Sequence, residues 1–202
     1  MTIRYPNGRT FNHEVFETKK QSKKATIDFA KRGMNFEEEI NQSNEYYLAK
    51  KIAVVHKKPT PVQIVHVDYP ARNRAKITEA YFRTASTTDY NGVYNGMYLD
   101  FEAKETKNKT SFPFSNFHQH QITHMETVLN QKGVAFVLLY FSTLSRIFFY
   151  PATCLIDRFN AQGTARKSIP LSEVEKEGIE IPFGISPRVP YIEALDTYLK
   201  IR

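Results

Sequence analysis

The chain has 202 residues, 41% of them hydrophobic and 13% aromatic, which suits one domain with a substantial core. Its formal charge of +7 argues against an acidic substrate and for an anionic partner, nucleic acid first. A single cysteine, Cys154, excludes a disulfide framework and a cysteine-based zinc site. No run approaches the roughly 18 apolar residues of a membrane span, and the opening stretch MTIRYPNGRTFNHEV lacks the apolar segment of a secretory signal. A soluble, basic, cytoplasmic protein is the expectation.

Residues 1–30 are polar and basic, with a Pro6-Asn7-Gly8 turn and no sustained period, and read as a flexible arm. The remainder, 31–202, reads as one domain. Asn35 is a plausible N-cap, the acids Glu37, Glu38 and Glu39 fill a first helical turn, and Phe36, Ile40, Tyr47 and Leu48 keep a helical spacing over 35–50. Ile52–Val55 is a short apolar strand. Val62–Val67 and Lys76–Phe82 read as two more, joined by a turn carrying Arg72 and Arg74. Pro59 and Pro61 place this pair at an edge, so a basic hairpin over about 60–82 projects from the body.

The two Asn-Gly pairs at Asn91-Gly92 and Asn95-Gly96 predict turns. They lead into residues 97–104, which alternate: Met97, Leu99, Phe101 and Ala103 on one face, Tyr98, Asp100, Glu102 and Lys104 on the other. A helix over 116–131, strands over 134–141 and 146–150, a short helix around 151–159 and a terminal helix over 190–201 follow. The positive charge is uneven. Residues 1–35 carry eight Lys/Arg against three acids and residues 50–83 eight against two, whereas 36–49 is acidic. Two basic segments of this kind suit salt-sensitive contact with phosphates.

Asp89 followed by Glu102-Ala103-Lys104 is the constellation that points to chemistry. Period-2 geometry sets Glu102 and Lys104 on one face, about 7 Å apart. Two carboxylates converging from neighbouring strands suit a hard cation such as Mg²⁺, and a lysine beside them can orient water or offset transition-state charge. The competing reading is a solvent-facing strand with an exposed ion pair. Glu-x-Lys also occurs at Glu17–Lys19 and Glu105–Lys107, so only the strand context distinguishes the middle copy. Gln121 shares a helix face with Met125, Val128 and Leu129, and a buried amide needs a partner. His120 and His124 have the spacing of a zinc pair, but no His-Glu-x-x-His and no third ligand accompany them. Phosphate-binding loops, dinucleotide fingerprints and serine elbows are missing from the sequence.

At these residues the chain resembles the RecU family of Holliday junction resolvases, within the PD-(D/E)xK nuclease superfamily. The matching segments are RGMNFEEEI at 32–40, HKKPTPVQIVHVDYP at 56–70, EAYFRTASTTDYNGVYNGMYLDFEAKETKNKTSFP at 79–113, and the helix around HQHQITHM. The resemblance implies an α/β, restriction-endonuclease-like core: a mixed central sheet flanked by helices, with a protruding basic hairpin stalk. It implies Mg²⁺ held by Asp89 and Glu102, with Thr87 and Gln121 in the metal shell, Glu37 as a more distant candidate and Lys104 as the catalytic lysine. Arg72 and Arg74 at the hairpin tip, with Lys57, Lys58 and Lys76, would contact DNA. The partners implied are four-way junction DNA, a second copy of the chain in a homodimer, and the RecA recombinase. The superfamily's usual proline before the first acid is replaced by Thr88. The alternatives are a non-catalytic branched-DNA-binding protein or RecA regulator, and a nuclease of the same fold acting on duplex DNA.

Overall fold

The computed structural model describes residues 35–71, 74–83, 87–163 and 166–201. The arm expected at 1–30 and the tip residue Arg72 lie outside them. Helix α1 (Phe36–Ala49) begins as its sequence requires: the Asn35 side chain accepts from the Glu37 amide at 3.3 Å, and three glutamates occupy the first turn. Lys51 then takes a left-handed conformation (φ 57°) that closes the helix. The first strand, β1, accordingly starts at Val54 and runs to Lys57, two residues later than its apolar pattern suggests.

A six-stranded sheet follows the order β1-β4-β5-β7-β8-β10, with β4 spanning Tyr90–Tyr94, β5 Met97–Thr106, β7 Val134–Phe141, β8 Arg146–Pro151 and β10 Ile179–Ile181. All neighbours are antiparallel except β5 and β7, which pair in parallel through a crossover that contains α2 (Gln119–Asn130). A small second sheet pairs β6 (Ser111–Pro113) with β9 (Ser168–Pro170). Helices α3 (Ala152–Asn160), α4 (Leu171–Glu177) and α5 (Tyr191–Ile201) complete the layers. This is the mixed sheet flanked by helices that the sequence predicts. The short elements β4, β6, β9, α4 and β10 were not anticipated.

Two cores lie on opposite faces of the sheet. Leu99, Phe101 and Ala103 of β5 pack with residues of α1 and α5, while the opposite face of β7 packs with α2, α3 and α4. On the α1/α5 side one aromatic from each of four adjacent strands forms a ladder. Tyr90 stacks on Phe101 at 4.8 Å, Phe101 on Phe136 at 4.6 Å and Phe136 on Phe149 at 4.4 Å, all fully buried. Each such contact adds about 0.5–1.5 kcal/mol beyond its buried area. A one-residue slip of β4 would turn Tyr90 to the other face, so the ladder also fixes where the residue before it, Asp89, sits.

The Asn95-Gly96 pair forms the expected two-residue hairpin loop, with φ of 47° and 78° and Tyr94 facing Met97 across it. Asn91-Gly92 does not turn. It lies inside β4, where Gly92 pairs with Leu99 on one side and Val55 on the other. A Cβ there would come within 2.2 Å of the Val54 carbonyl oxygen, so this glycine serves close strand approach.

Strands β2 (Val62–Asp68) and β3 (Lys76–Phe82) pair only with each other. Both faces of this hairpin are open to solvent, including Ile64, Val65, Ile77, Tyr81 and Phe82. It springs from Pro61, whose carbonyl accepts the Arg83 amide at 2.9 Å. The predicted projecting hairpin is therefore present, with Arg74 and Lys76 exposed upon it.

Candidate active site

Strand β5 supplies the centre of the site. Its alternation sends Tyr98, Asp100, Glu102 and Lys104 to the face that α2 covers, opposite Leu99 and Phe101. This is not a solvent-facing strand: the side chains of Asp100 and Glu102 are both 0% exposed. Buried carboxylates are costly unless they are paired, and these two meet that requirement in opposite ways.

Asp100 is saturated. Its Oδ2 receives the Lys58 ammonium at 2.8 Å and the Tyr98 hydroxyl at 2.9 Å, with His124 Nε2 at 3.2 Å; its Oδ1 receives the Thr88 hydroxyl. Glu102 is not. Its Oε2 accepts the Asp89 amide at 3.1 Å, and Lys104 Nζ stands 2.7 Å from Oε1 as an ion-pair contact, yet Oε1 has no aligned hydrogen bond. Burial, together with the adjacent Asp89 carboxylate, pushes the Glu102 carboxyl up to about 8, against the lowering influence of Lys104.

Asp89 sits just before β4, and its backbone amide reaches the carboxylate that Glu102 projects from β5, so the structure brings these two residues together. Its carbonyl accepts the Lys58 amide at 2.7 Å. Thr87 is half-buried beside it, its hydroxyl donating to the Thr88 carbonyl at 3.3 Å. Thr88 is buried, and its hydroxyl accepts the Lys58 ammonium at 3.0 Å while donating to Asp100. Lys104 keeps 20% of its side chain exposed at the mouth of the site.

Gln121 is buried as expected, but its partner is local: the His118 amide donates to Gln121 Oε1 at 3.1 Å, closing the start of α2. A carboxamide oxygen has a second acceptor position. Helix α2 runs antiparallel to β5, as the right-handed crossover between parallel strands requires. Gln121 lies one turn before His124 towards the level of Glu102, as His124 is held against Asp100. His118 and His120 stack on each other at 5.4 Å on the open side of α2, along a groove also lined by Thr123, His124 and Thr127. Among the described residues no three of His, Cys, Asp and Glu converge as a metal-holding group.

Three expected contacts are placed differently. Lys58, read as a DNA contact, turns inward to Asp100 and Thr88 because a buried carboxylate on β5 needs a cation. Lys57 pairs with Glu37 at the surface, so neither Lys57 nor Glu37 stands alone. The Glu37 carboxylate, like those of Asp89 and Glu102, bears on the Tyr90 hydroxyl, which burial and then these acids push far above its usual range. The role of Asp100 was missed: in the sequence it is one more polar residue of the alternating face.

The donor set fits a hard divalent cation. The acids offer oxygen only, and one buried oxygen lacks a hydrogen bond. Residues 31–197 match the family model described as Recombination protein U. The chain is 56% identical over 200 residues to the Holliday junction resolvase RecU of Latilactobacillus sakei, covering 97% of this chain and 95% of that one. It is 53% identical over 213 residues to the Holliday junction resolvase RecU of Lactococcus lactis, covering 99% and 100%. Among solved structures it is similar to Archaeoglobus fulgidus Hjc, a Holliday junction resolvase, at 13% identity and a TM-score of 0.39 over 70% of this chain and 94% of that one; the assignment does not rest on this slight likeness. No helix among the described residues is long and apolar enough to cross a membrane. The chain belongs to the RecU family, Recombination protein U.

Proposed function

We propose that this chain is a Mg²⁺-dependent, structure-selective endonuclease that resolves four-way DNA junctions by paired, symmetric nicks during recombination and repair, acting at the nucleoid. The observation that carries the reading is the Asp89–Glu102 pair with Lys104 at its mouth: two converging carboxylates, one oxygen without a hydrogen bond, and a cation beside them. Asp89 and Glu102 would hold the metal, with Thr87 and Gln121 completing its shell and Glu37 the most distant candidate. Bound there, a divalent cation supplies Lewis-acid activation of the phosphodiester and of the attacking water.

The chain's own groups do the rest. Lys104, partly exposed and paired with Glu102, is placed to orient water or to offset charge growing on the phosphate. Glu102 must lose its proton before it binds a cation, so metal affinity rises with pH through the Glu102 transition. Asp89 is held by the chain at both its amide and its carbonyl, which leaves its carboxylate as the movable part.

The hairpin is the element suited to a branched substrate. A lone two-stranded hairpin is marginal in water, and this one exposes aromatic and aliphatic side chains on both faces beside Arg74 and Lys76. It therefore calls for a partner, and the open centre of a junction offers bases and phosphates together. Arg72 at its tip joins these contacts on the strength of its sequence position. A homodimer would set two identical sites about a two-fold axis, matching the near two-fold symmetry of a four-way junction. The test is cleavage of a synthetic junction against a matched duplex, with Mg²⁺ or with EDTA.

A further inference from the structure

Two carboxylates of one strand, two residues apart and equally buried, differ in kind. Glu102 leaves an oxygen without a hydrogen bond, whereas Asp100 fills both of its oxygens from four side chains. The charge of Asp100 is thus met by groups of the chain itself, and a buried ion pair of this kind is weak evidence for net stability. What matters is where its partners come from.

Lys58 follows β1, Thr88 belongs to the segment that delivers Asp89, Tyr98 and Asp100 lie on β5 with Glu102, and His124 lies on α2 one turn from Gln121. Lys58 is doubly engaged. Its ammonium bonds Thr88 Oγ1 at 3.0 Å and Asp100 Oδ2 at 2.8 Å, and its amide bonds the Asp89 carbonyl at 2.7 Å. The Thr88-Asp89 dipeptide is thus gripped by side chain, carbonyl and amide, the last through Glu102 Oε2 at 3.1 Å.

We propose that Asp100, through the Thr88 hydroxyl, Lys58 and His124, is the positioning residue that sets Asp89, Glu102 and α2 in register, so that the metal shell is assembled before the cation arrives. This rests on the reading of Asp89 and Glu102 as metal ligands. Hydrogen-bonded supports of this sort typically change metal affinity by about 10–100-fold when removed.

Thr88 offers the cleanest cut, because Thr88→Val removes a hydroxyl at constant shape and Thr88→Ser restores it. The experiment is Mn²⁺ binding to the DNA-free full chain by titration calorimetry, with melting temperature, junction binding in EDTA and cleavage rate measured alongside. The expected result is that Thr88→Val lowers Mn²⁺ affinity about 10-fold or more and slows cleavage, that Thr88→Ser restores both, and that EDTA junction binding is unchanged. If Thr88→Val does not fold, His124→Leu against His124→Gln repeats the comparison from α2. A folded Thr88→Val that binds Mn²⁺ and cuts like the wild type overturns the positioning role, as does a Thr88→Ser no better than Thr88→Val. A folded wild type that binds no Mn²⁺ overturns the metal site itself, and the positioning role falls with it.

Discussion

The backbone amide of Asp89 donates to the Glu102 carboxylate at 3.1 Å, so the two acids of the site are joined through main chain. Asp89 precedes β4 and Glu102 lies within β5, and the stacked rings of Tyr90 and Phe101 hold these strands in one register. Core packing on one face of the sheet thereby determines the geometry of the chemistry on the other.

Neutralising either acid should remove cutting and spare binding. Asp89→Asn and Glu102→Gln are expected to abolish junction cleavage while junction affinity in EDTA stays near wild type, since the expected phosphate contacts lie on the hairpin. Gel shift beside a cleavage gel checks this; retained cutting by either variant would remove it from the metal site.

The Glu102 carboxyl, raised from 4.5 to about 8, makes a stability prediction of definite sign. Between those values the folded chain holds a proton that the unfolded chain has lost, so stability falls as pH rises through the window. In EDTA the melting temperature of the wild type should decline relative to Glu102→Gln from about pH 5 to about pH 8, and saturating Mg²⁺ should flatten the difference. Parallel melting curves in EDTA would contradict the raised carboxyl.

Gly92→Ala tests close strand approach. With a Cβ 2.2 Å from the Val54 oxygen and 2.7 Å from the Val55 Cα, backbone must move. A loss of about 3 kcal/mol is expected, the upper end for overpacking, measured by urea unfolding. A loss below about 0.5 kcal/mol, the range of ordinary surface changes, would show that β1 shifts freely.

The hairpin should matter for substrate choice and little for stability. Replacing residues 63–81 by a short glycine turn removes a pair of strands whose described side chains contribute almost nothing to the core. The melting temperature should hold while preference for junction over duplex is lost, and Arg72→Ala with Arg74→Ala should lower the same preference in part. An equal loss on both substrates would reduce the hairpin to a general phosphate contact.

Much of this was legible in the residues. The alternation over 97–104 located β5, Asn95-Gly96 located its hairpin, and the apolar run 134–141 located the strand beside it. Asn91-Gly92 carries the same turn signal but lies in a strand, because a glycine needed for close approach and a glycine needed for a turn are spelled alike. Asp100 and Glu102 share one face of one strand, and no pattern along the chain tells which will be filled by Lys58 and His124. The partners come from 42 and 24 residues away. Three-residue strands such as β9 and β10 are too short to show a period. A basic run does not reveal which of its members turns inward, as Lys58 does to Asp100.

Cleavage of a branched substrate at the Asp89–Glu102 site is read most directly on a denaturing gel of end-labelled four-way junction and matched linear duplex, incubated with wild type or Asp89→Asn in Mg²⁺ or in EDTA. Paired, symmetric nicks are expected on the junction only, with wild type and Mg²⁺ only. A junction that is bound but left intact by wild-type protein in Mg²⁺, or one cut equally well by Asp89→Asn, would contradict that expectation.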